Sequence, residues 1–451
     1  MKTYQDLLAC SENERMDFVK QCISEHKSTD LYNTAWTADQ YNRHKNVTIV
    51  EFQKMLYTVS GRAIPDTWSA NFKMACRFFH TFIVQEAQYL LGNGVSWINK
   101  DTDSKLSNDK YDFDAQLSIL GKNALVHGVS FGFFNLDHLE IFSLLEFVPL
   151  FDEENGSIRA GIRFWQVAPD KPLRATLYEE DGYTDYMWND EKAKVLNPKR
   201  AYKLKIVNTE IDGDRIYDAE NYPSFPIVPL WGNSEHQSEI VGLREQIDCY
   251  DLIKSGFANT VDEASIVYWT IQNAGGMDDV DLAKFIERIK TVHATVMDDA
   301  AQAIPHSQDA PYASREALLQ RLERDLYKDA MALNTDMIAG GAVTATQIKA
   351  AYEPLNSKVD DFEYQVITFV KKILSLAGID DKPTFTRSII VNANETLQNV
   401  IQSAQILPQE YIIPKLLELL GDKDKIEDVL EQIKQQQIEQ KAQLIAQAVE
   451  Q

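Results

Sequence analysis

The sequence of 451 residues has little cysteine: Cys10, Cys22, Cys76 and Cys249 are all there is. No two stand at C-x-x-C spacing and no His cluster accompanies them, which argues against a zinc site. Four thiols in so long a chain are too sparse for a disulfide framework, so buried or free thiols in a reducing compartment are expected. Base is also scarce. Lys and Arg total 45 against 68 Asp and Glu, a formal charge of −23. Such a chain is not a general nucleic-acid binder, whose affinity comes mostly from Lys and Arg on phosphates. Docking on an anionic membrane surface is disfavoured for the same reason. Long apolar runs are missing too. Lys73, Arg77 and His80 break the stretch 72–84, and Glu140 and Glu146 break 139–151. Neither supplies the ~18 apolar residues of a membrane span. The opening MKTYQDLLACSENERMDF lacks the apolar core of a signal peptide. The expectation is a soluble protein, cytoplasmic where it is made.

Motifs of catalysis are equally thin. There is no G-x-x-x-x-G-K-[ST] loop to cradle a triphosphate, no H-E-x-x-H and no EF-hand loop. The single hit is G-x-S-x-G at Gly128-Val-Ser130-Phe-Gly132. In hydrolases that elbow joins a strand to a helix and presents the serine above the sheet. Here a helical stretch precedes it and an extended one follows, so the context is inverted. His138, His236, His293 and His306 lie downstream with no motif tying them to Ser130. A cytoplasmic serine hydrolase built on Ser130 is the alternative kept open. Small residues where a helix turns into a sheet are the plainer account. The adjacent pairs Asp298-Asp299 and Asp380-Asp381 read as solvated faces or caps. No catalytic residue, cofactor or metal ligand is expected.

What is present is globular: 44% of residues are hydrophobic and 10% aromatic, in about two to four domains by length. Residues 1–65 are polar with short helical patches. Asp66 is a candidate N-cap for a long apolar-periodic helix closed by Gly92, and a second helix is expected over 111–125. From His127 to Ile206 the period changes. Ile158, Ala160, Ile162 and Phe164 alternate with Ser157, Arg159, Gly161 and Arg163, a strand with one wet face within an antiparallel sheet region. Ile240, Leu243, Ile247, Tyr250 and Ile253 predict a helix over 238–262. A small mixed insert follows, with β-like stretches at 266–271 and 292–297 around an amphipathic helix at 278–289, ended by Pro305 and Pro311. A second long helix, capped by Ser314, is expected to run to Leu333, and a third from Ala345 to Ala377 with Pro354 inside it and Gly378 after it. The tail from Glu431 is Gln-rich and only sparsely apolar, a marginal helix by itself. Two long helices around a small insert cannot bury themselves in one core. They read as a stalk packed against copies of itself.

That order resembles the portal proteins of tailed bacteriophages, especially the type common in phages of Gram-positive hosts. FPIVPLWGNSEHQSEIVGLREQIDCYDLIKSGFANTVDE, Phe225 to Glu263, is similar to the family's entry into its stem through Asn233, Ser238, Ile247, Asp248, Tyr250 and Ser255. RLERDLYKDAMALNTDMIAGGAVTATQIKAAYEPLNSKVDDFE, Arg321 to Glu363, resembles the second stem helix, tunnel loop and following helix. Tyr89-Leu-Leu-Gly92-Asn-Gly-Val95 resembles the end of the N-terminal wing helix, with Gly94 where the family usually has Pro. The resemblance covers roughly residues 45–420.

The resemblance implies an α+β, predominantly helical portal fold. It places a wing at 1–235, a stem at 236–264 and 313–334, and a clip at 265–312. A tunnel loop at 335–344, a kinked helix returning to the wing at 345–390 and a helical crown at 391–451 complete it. It implies a homo-oligomeric ring, usually a dodecamer, at one capsid vertex, through which double-stranded DNA passes. Terminase large subunit and a head–tail adaptor dock on the clip, at Asp278, Asp279, Lys284, Glu287 and Arg288. Major capsid and scaffolding proteins are further partners, and no membrane is. The motor ATPase would be a separate protein. The loop that would face DNA, Thr335, Asp336, Met337, Ile338, Ala339, Gly340, Gly341, Ala342 and Val343, has one acid, no base and two adjacent glycines. Such tips touch DNA without gripping it. In a conduit the acidity changes meaning: it excludes a gripper and allows a passage. An adaptor of some other ring assembly shares the stalk but not the quoted segments.

Overall fold

The computed structural model describes residues 2–58, 61–67, 69–99, 101–189, 192–211, 214–264, 268–272, 278–292, 302–306, 312–336, 345–388, 400–403, 408–420, 426, 429–433 and 435. Helices α1 (Tyr4–Ala9), α2 (Arg15–Lys27), α3 (Asp30–Asn42) and α4 (Val47–Glu51) open the chain. The hairpin β1 (Met55–Tyr57) and β2 (Ala63–Pro65) precedes α5 (Phe78–Leu91), β3 (Val95–Ser96), α6 (Thr102–Leu106) and α7 (Phe113–His127). Ten strands follow: β4 (Val129–Asn135), β5 (His138–Ser143), β6 (Phe147–Phe151), β7 (Ile158–Trp165), β8 (Leu173–Glu179), β9 (Gly182–Asn189), β10 (Lys192–Arg200), β11 (Lys203–Ile211), β12 (Asp214–Glu220) and β13 (Ile227–Trp231). The chain then runs through α8 (Arg244–Ala264), β14 (Tyr268–Gln272), α9 (Asp279–Val292), β15 (Gln302–His306), α10 (Tyr312–Asp329), α11 (Ala345–Ala377), β16 (Thr384–Phe385) and α12 (Gln409–Leu420). Two compact units divide it: residues 1–334 with 354–387, and residues 335–353 with 388–451. The division falls inside α11, at Pro354. No helix among the described residues is long and apolar enough to cross a membrane.

In the first unit, strands β6 to β10 form an antiparallel meander in the order β10-β9-β8-β7-β6. The alternation along β7 works as the sequence indicates, with Ala160, Ile162 and Phe164 buried. Leu7, Phe18, Val19, Cys22 and Ile23 of α1 and α2 cover that face together with Val148, Leu150, Leu177 and Trp188. Burial pushes the Cys22 thiol up to about 12, the behaviour of a core residue. A second sheet, β13-β4-β5, is likewise antiparallel. The apolar stripe of α11 is buried from Tyr352 through Leu355, Val359, Phe362, Val366, Phe369 and Ile373 to Leu376. Phe362 and Phe369 sit where α7 and β4 have only hydrogen: a Cβ on Gly121 would lie 3.1 Å from Phe362, and one on Gly132 2.5 Å from Phe369.

Several boundaries differ from the sequence expectation. Helix α5 begins at Phe78, not after Asp66, because residues 72–76 run extended across α8. The amide of Phe72 donates to Asn259 (2.7 Å), that of Met74 to Ser255 (2.9 Å) and that of Cys76 to Asp251 (3.0 Å). Alternate amides of an extended chain are about 6.6 Å apart, and side chains four apart on a helix about 6 Å. The segment is therefore a strap laddered onto one stripe of α8. Asp66 stays outside any helix and accepts from the Ser69 amide at 3.1 Å. Helix α8 begins at Arg244 rather than Ser238 because Gly242 takes φ +83°, a left-handed conformation that breaks the run. Ser314 lies inside α10, which starts at Tyr312, and Met331 at φ +52° follows the end of that helix. The insert's second strand is β15, with Pro305 inside it opposite Trp269. Val292 ends α9, and residues 293–297 lie outside the described residues. Strands β10 and β12, polar and short of apolar alternation, carry no clear sequence signal.

The strap can be tested. Asp251 is fully buried and accepts from both the Cys76 amide and the Asn46 side chain (2.8 Å). Asp251→Ala leaves the buried Asn46 amide and the half-buried Cys76 N–H unpaired and is expected to destabilise by roughly 1–3 kcal/mol in urea unfolding. Amide exchange at residues 72–76 should speed up in the same variant, and an unchanged exchange rate would contradict the ladder.

Candidate functional site

The two long helices expected to form a stalk are α8 and α10, and they pack antiparallel. At one end Gln246 donates to Asp329 at 2.6 Å. At the other, Arg315 donates to Thr260 at 2.6 Å, and the Phe257 and Tyr312 rings lie 5.6 Å apart. The module β14–α9–β15 fills the connection between them, with β14 and β15 paired antiparallel. At 21 residues, α8 is roughly 30 Å long.

The root of this pair is built from α5, α11 and the turn before α8. Phe78 meets Tyr250 edge-on at 4.9 Å and Phe82 meets Tyr327 at 5.2 Å, joining α5 to both long helices. Beside them the Lys358 ammonium of α11 lies 2.7 Å from Glu86 of α5 and 2.7 Å from Glu239 of the turn. It also donates to the Ala330 carbonyl, just past α10, at 3.3 Å. Burial raises the Glu86 carboxyl to about 7, Lys358 pulling it down and Glu239 pushing it up. Burial works against the Lys358 charge, but Glu86 and Glu239 outweigh it and raise its pKa. The triad borders a cleft of about 580 Å³ lined by Glu235, Asp329 and Asp361 as well. Each of its other partners has work to do: Asp361 accepts the Ser234 amide at 2.8 Å, and Glu239 accepts Asn233 at 2.9 Å. Gln85 reads the backbone of Leu333 from both sides, accepting its N–H at 2.9 Å and donating to its carbonyl at 3.0 Å. The site is a brace that ties four elements together.

The residues singled out in the sequence fall in three places. Asp278 caps α9 by accepting from the amides of Val280 (3.0 Å) and Asp281 (2.9 Å). Lys284 and Glu287 are exposed on that helix, Lys284 lying 3.6 Å from Asp281. Asp279 and Arg288 belong to the same helix, so all five residues singled out for docking lie on α9 or at its start. Thr335 and Asp336 are exposed after Leu333, while Met337, Ile338, Ala339, Gly340, Gly341, Ala342 and Val343 lie outside the described residues. Ser130 is fully buried and its hydroxyl donates to the Phe142 carbonyl at 3.2 Å. Among the described residues no histidine hydrogen-bonds it. The glycines beside it have structural jobs. Gly128 ends α7 at φ +86°, with the Gln237 backbone where a Cβ would go, and Gly132 seats Phe369. No cluster of His, Cys, Asp and Glu among the described residues is arranged to hold a metal ion.

Sequence reasoning missed the triad, although a signal existed. Glu86 stands inside the apolar face of Phe82, Ile83 and Leu90, and Lys358 abuts the stripe position Val359. A charge on a buried face needs a partner. Lys358→Met leaves Glu86 and Glu239 without their cation and is expected to cost about 3–5 kcal/mol at pH 8. Glu86 titrates at about 7 with Lys358 pulling it down, so loss of Lys358 raises that pKa further; the cost should shrink as pH falls toward 7, where the variant's carboxyl is already neutral, and level off below it. Thermal unfolding of both proteins across pH 5–8 measures it; a pH-independent gap would refute the coupling.

The chain matches the family described as phage portal protein, SPP1 Gp6-like, over residues 23–440. A portal protein of Clostridium phage phiCD119 is 25% identical over 50% of this chain and 51% of its own length. The portal protein of Bacillus phage SPP1 is 21% identical over 78% of this chain and 73% of its own. The chain thus spans about half the length of the first of these relatives. Among solved structures, a chain from the neck of an empty gene transfer agent particle is similar over 77% of this chain and 90% of that one, at 11% identity and TM-score 0.45. Matched over nearly its whole length, the chain belongs to the SPP1 Gp6-like family of phage portal proteins.

Proposed function

We propose that copies of this chain close into a ring at one capsid vertex, the channel for double-stranded DNA during packaging and ejection. The role is structural and uses no catalytic group of the chain. Family membership over residues 23–440 carries the reading. The state of the α8–α10 pair supports it: of the stripe Leu319, Leu322, Leu326, Ala330 and Leu333, the first two are only half-buried in one copy, and Leu252, Val261 and Leu318 are exposed. Neighbouring copies in a ring would cover such faces. In this reading residues 1–235 with part of 345–390 are the wing, 236–264 and 313–334 the stem, 265–312 the clip, 335–344 the tunnel loop and 391–451 the crown. The family's usual dodecamer is the expected ring. Terminase large subunit and then the head–tail adaptor dock on α9, while major capsid and scaffolding proteins surround the wing. The charge of −23 suits a lumen that repels the duplex and keeps it centred.

Negative-stain imaging of the purified chain tests the assembly. Rings with a central hole are expected, and a monomer labelled at Ser130 by a serine-reactive probe would reverse the conclusion in favour of a hydrolase. Two variants test the parts. Gly340→Pro removes the backbone freedom of the Gly340-Gly341 pair and should leave rings intact but heads empty of DNA. Normal filled heads would remove the tunnel loop from the mechanism. Lys284→Glu with Glu287→Lys should assemble rings that no longer retain terminase in pull-down, and full retention would place that contact elsewhere.

A further inference from the structure

Gly256 stands in the interior of α8. A glycine there weakens a helix relative to alanine, and nothing within one copy calls for it: a Cβ at Gly256 would meet no atom within 4 Å. The residue belongs to a stripe. Glu245, Cys249, Leu252 and Gly256 are spaced four, three and four apart and share one face of the helix. Glu245, Cys249 and Leu252 are exposed. The strap covers a neighbouring stripe, Asp251, Ser255 and Asn259, and leaves this one bare. Helix α10 has a bare stripe of its own. Leu318, Arg321, Asp325 and Lys328 are spaced three, four and three apart, and Leu318, Arg321 and Lys328 are exposed.

The two stripes are level with each other. Gln246 meets Asp329 and Thr260 meets Arg315 across the antiparallel pair. Counting between these contacts sets Glu245 at the height of Lys328, Cys249 at that of Asp325, Leu252 at that of Arg321 and Gly256 at that of Leu318, to within about 3 Å along the axis. A ring carries each copy onto the next by rotation about one axis, so helices running along that axis meet their neighbours at their own height. Shape and sign then agree. The exposed Leu318 finds the open space over Gly256. Leu252 lies along the aliphatic stem of Arg321. Lys328 faces Glu245, the one charge of the α8 stripe. Charge also selects the mate: the outer side of α10 has Arg321, Arg324 and Lys328 against Asp325, with Asp329 turned to Gln246 of its own copy. Helix α8 has two bases against five acids, which favours α8 on α10 and disfavours α8 on α8. We propose that the Glu245–Gly256 stripe of α8 packs on the Leu318–Lys328 stripe of α10 in the next copy, with Leu318 seated on Gly256 and Lys328 paired to Glu245. This rests on the ring assembly proposed above and gives that assembly its register.

The native Cys249, exposed on the α8 stripe, supplies half of the test. A disulfide needs Cα atoms within about 7 Å. In purified Asp325→Cys rings, mild oxidation should give covalent dimers and higher species on a non-reducing denaturing gel, and adding Cys249→Ser should abolish them. Leu318→Cys lies about 10 Å from the level of Cys249 and should not crosslink. Rings in which Leu318→Cys crosslinks as fast as Asp325→Cys, or in which neither does, overturn the proposal while leaving the ring intact; a chain that stays monomeric overturns the ring itself. Charge reversal checks the pairing. Lys328→Glu should raise the subunit concentration at which rings half-dissociate by about threefold or more, and Glu245→Lys in the same chain should restore it. A midpoint unmoved by Lys328→Glu, or a loss that Glu245→Lys fails to rescue, overturns the contact.

Discussion

The first unit is organised around one cation, Lys358, largely withdrawn from water. Lys358 is shared by two carboxylates and a carbonyl, and these four groups come from α11, α5, the turn before α8 and the end of α10. No two of the elements are adjacent in sequence except across long connections. A buried charge set of this kind is a poor source of stability compared with apolar packing, because each ion is stripped of water. It is a strict specifier of geometry, since displacing any partner leaves a bare charge. That suits a place where two long helices leave a compact body and must leave it in one direction. The aromatic contacts of Phe78 and Phe82 with Tyr250 and Tyr327 add the apolar half of the same junction.

From the junction outward, α11 works as a spine. Its apolar stripe is complete from Tyr352 to Leu376, and its two phenylalanines are accommodated by Gly121 and Gly132. The G-x-S-x-G match thus has a packing origin: one glycine turns the chain, the serine serves a neighbouring carbonyl, and the other glycine admits a ring. Motif and mechanism part company because the motif records only spacing, while chemistry depends on what surrounds the hydroxyl.

Much of the architecture was legible in the sequence. Elements whose periodicity runs long were placed well: α11 is bounded as expected from Ala345 to Ala377, and β7 alternates as read. Errors cluster where side chains far away in sequence decide. Phe72, Ala75 and Phe79 share a helical spacing, yet Asn259, Ser255 and Asp251 hold the first part extended. Gly242 shortens α8 from within an otherwise unbroken apolar pattern. Of the site, the two long helices and the small insert between them were foreseen. The triad was not, because Glu86 and Lys358 are 272 positions apart and each alone looks like a surface residue caught in a stripe.

The strap has a mechanical consequence. Its three bonds are laid along α8, so a pull along the helix axis strains all of them together. A pull at the end of the strap, across the axis, would break them one after another. Hydrogen bonds loaded in parallel resist far more than the same bonds opened in series. Sliding α8 by a single residue would also rotate its stripe by about 100° and lose all three partners at once. Axial creep is therefore forbidden at small displacements, and the helix holds its position or gives way in one step.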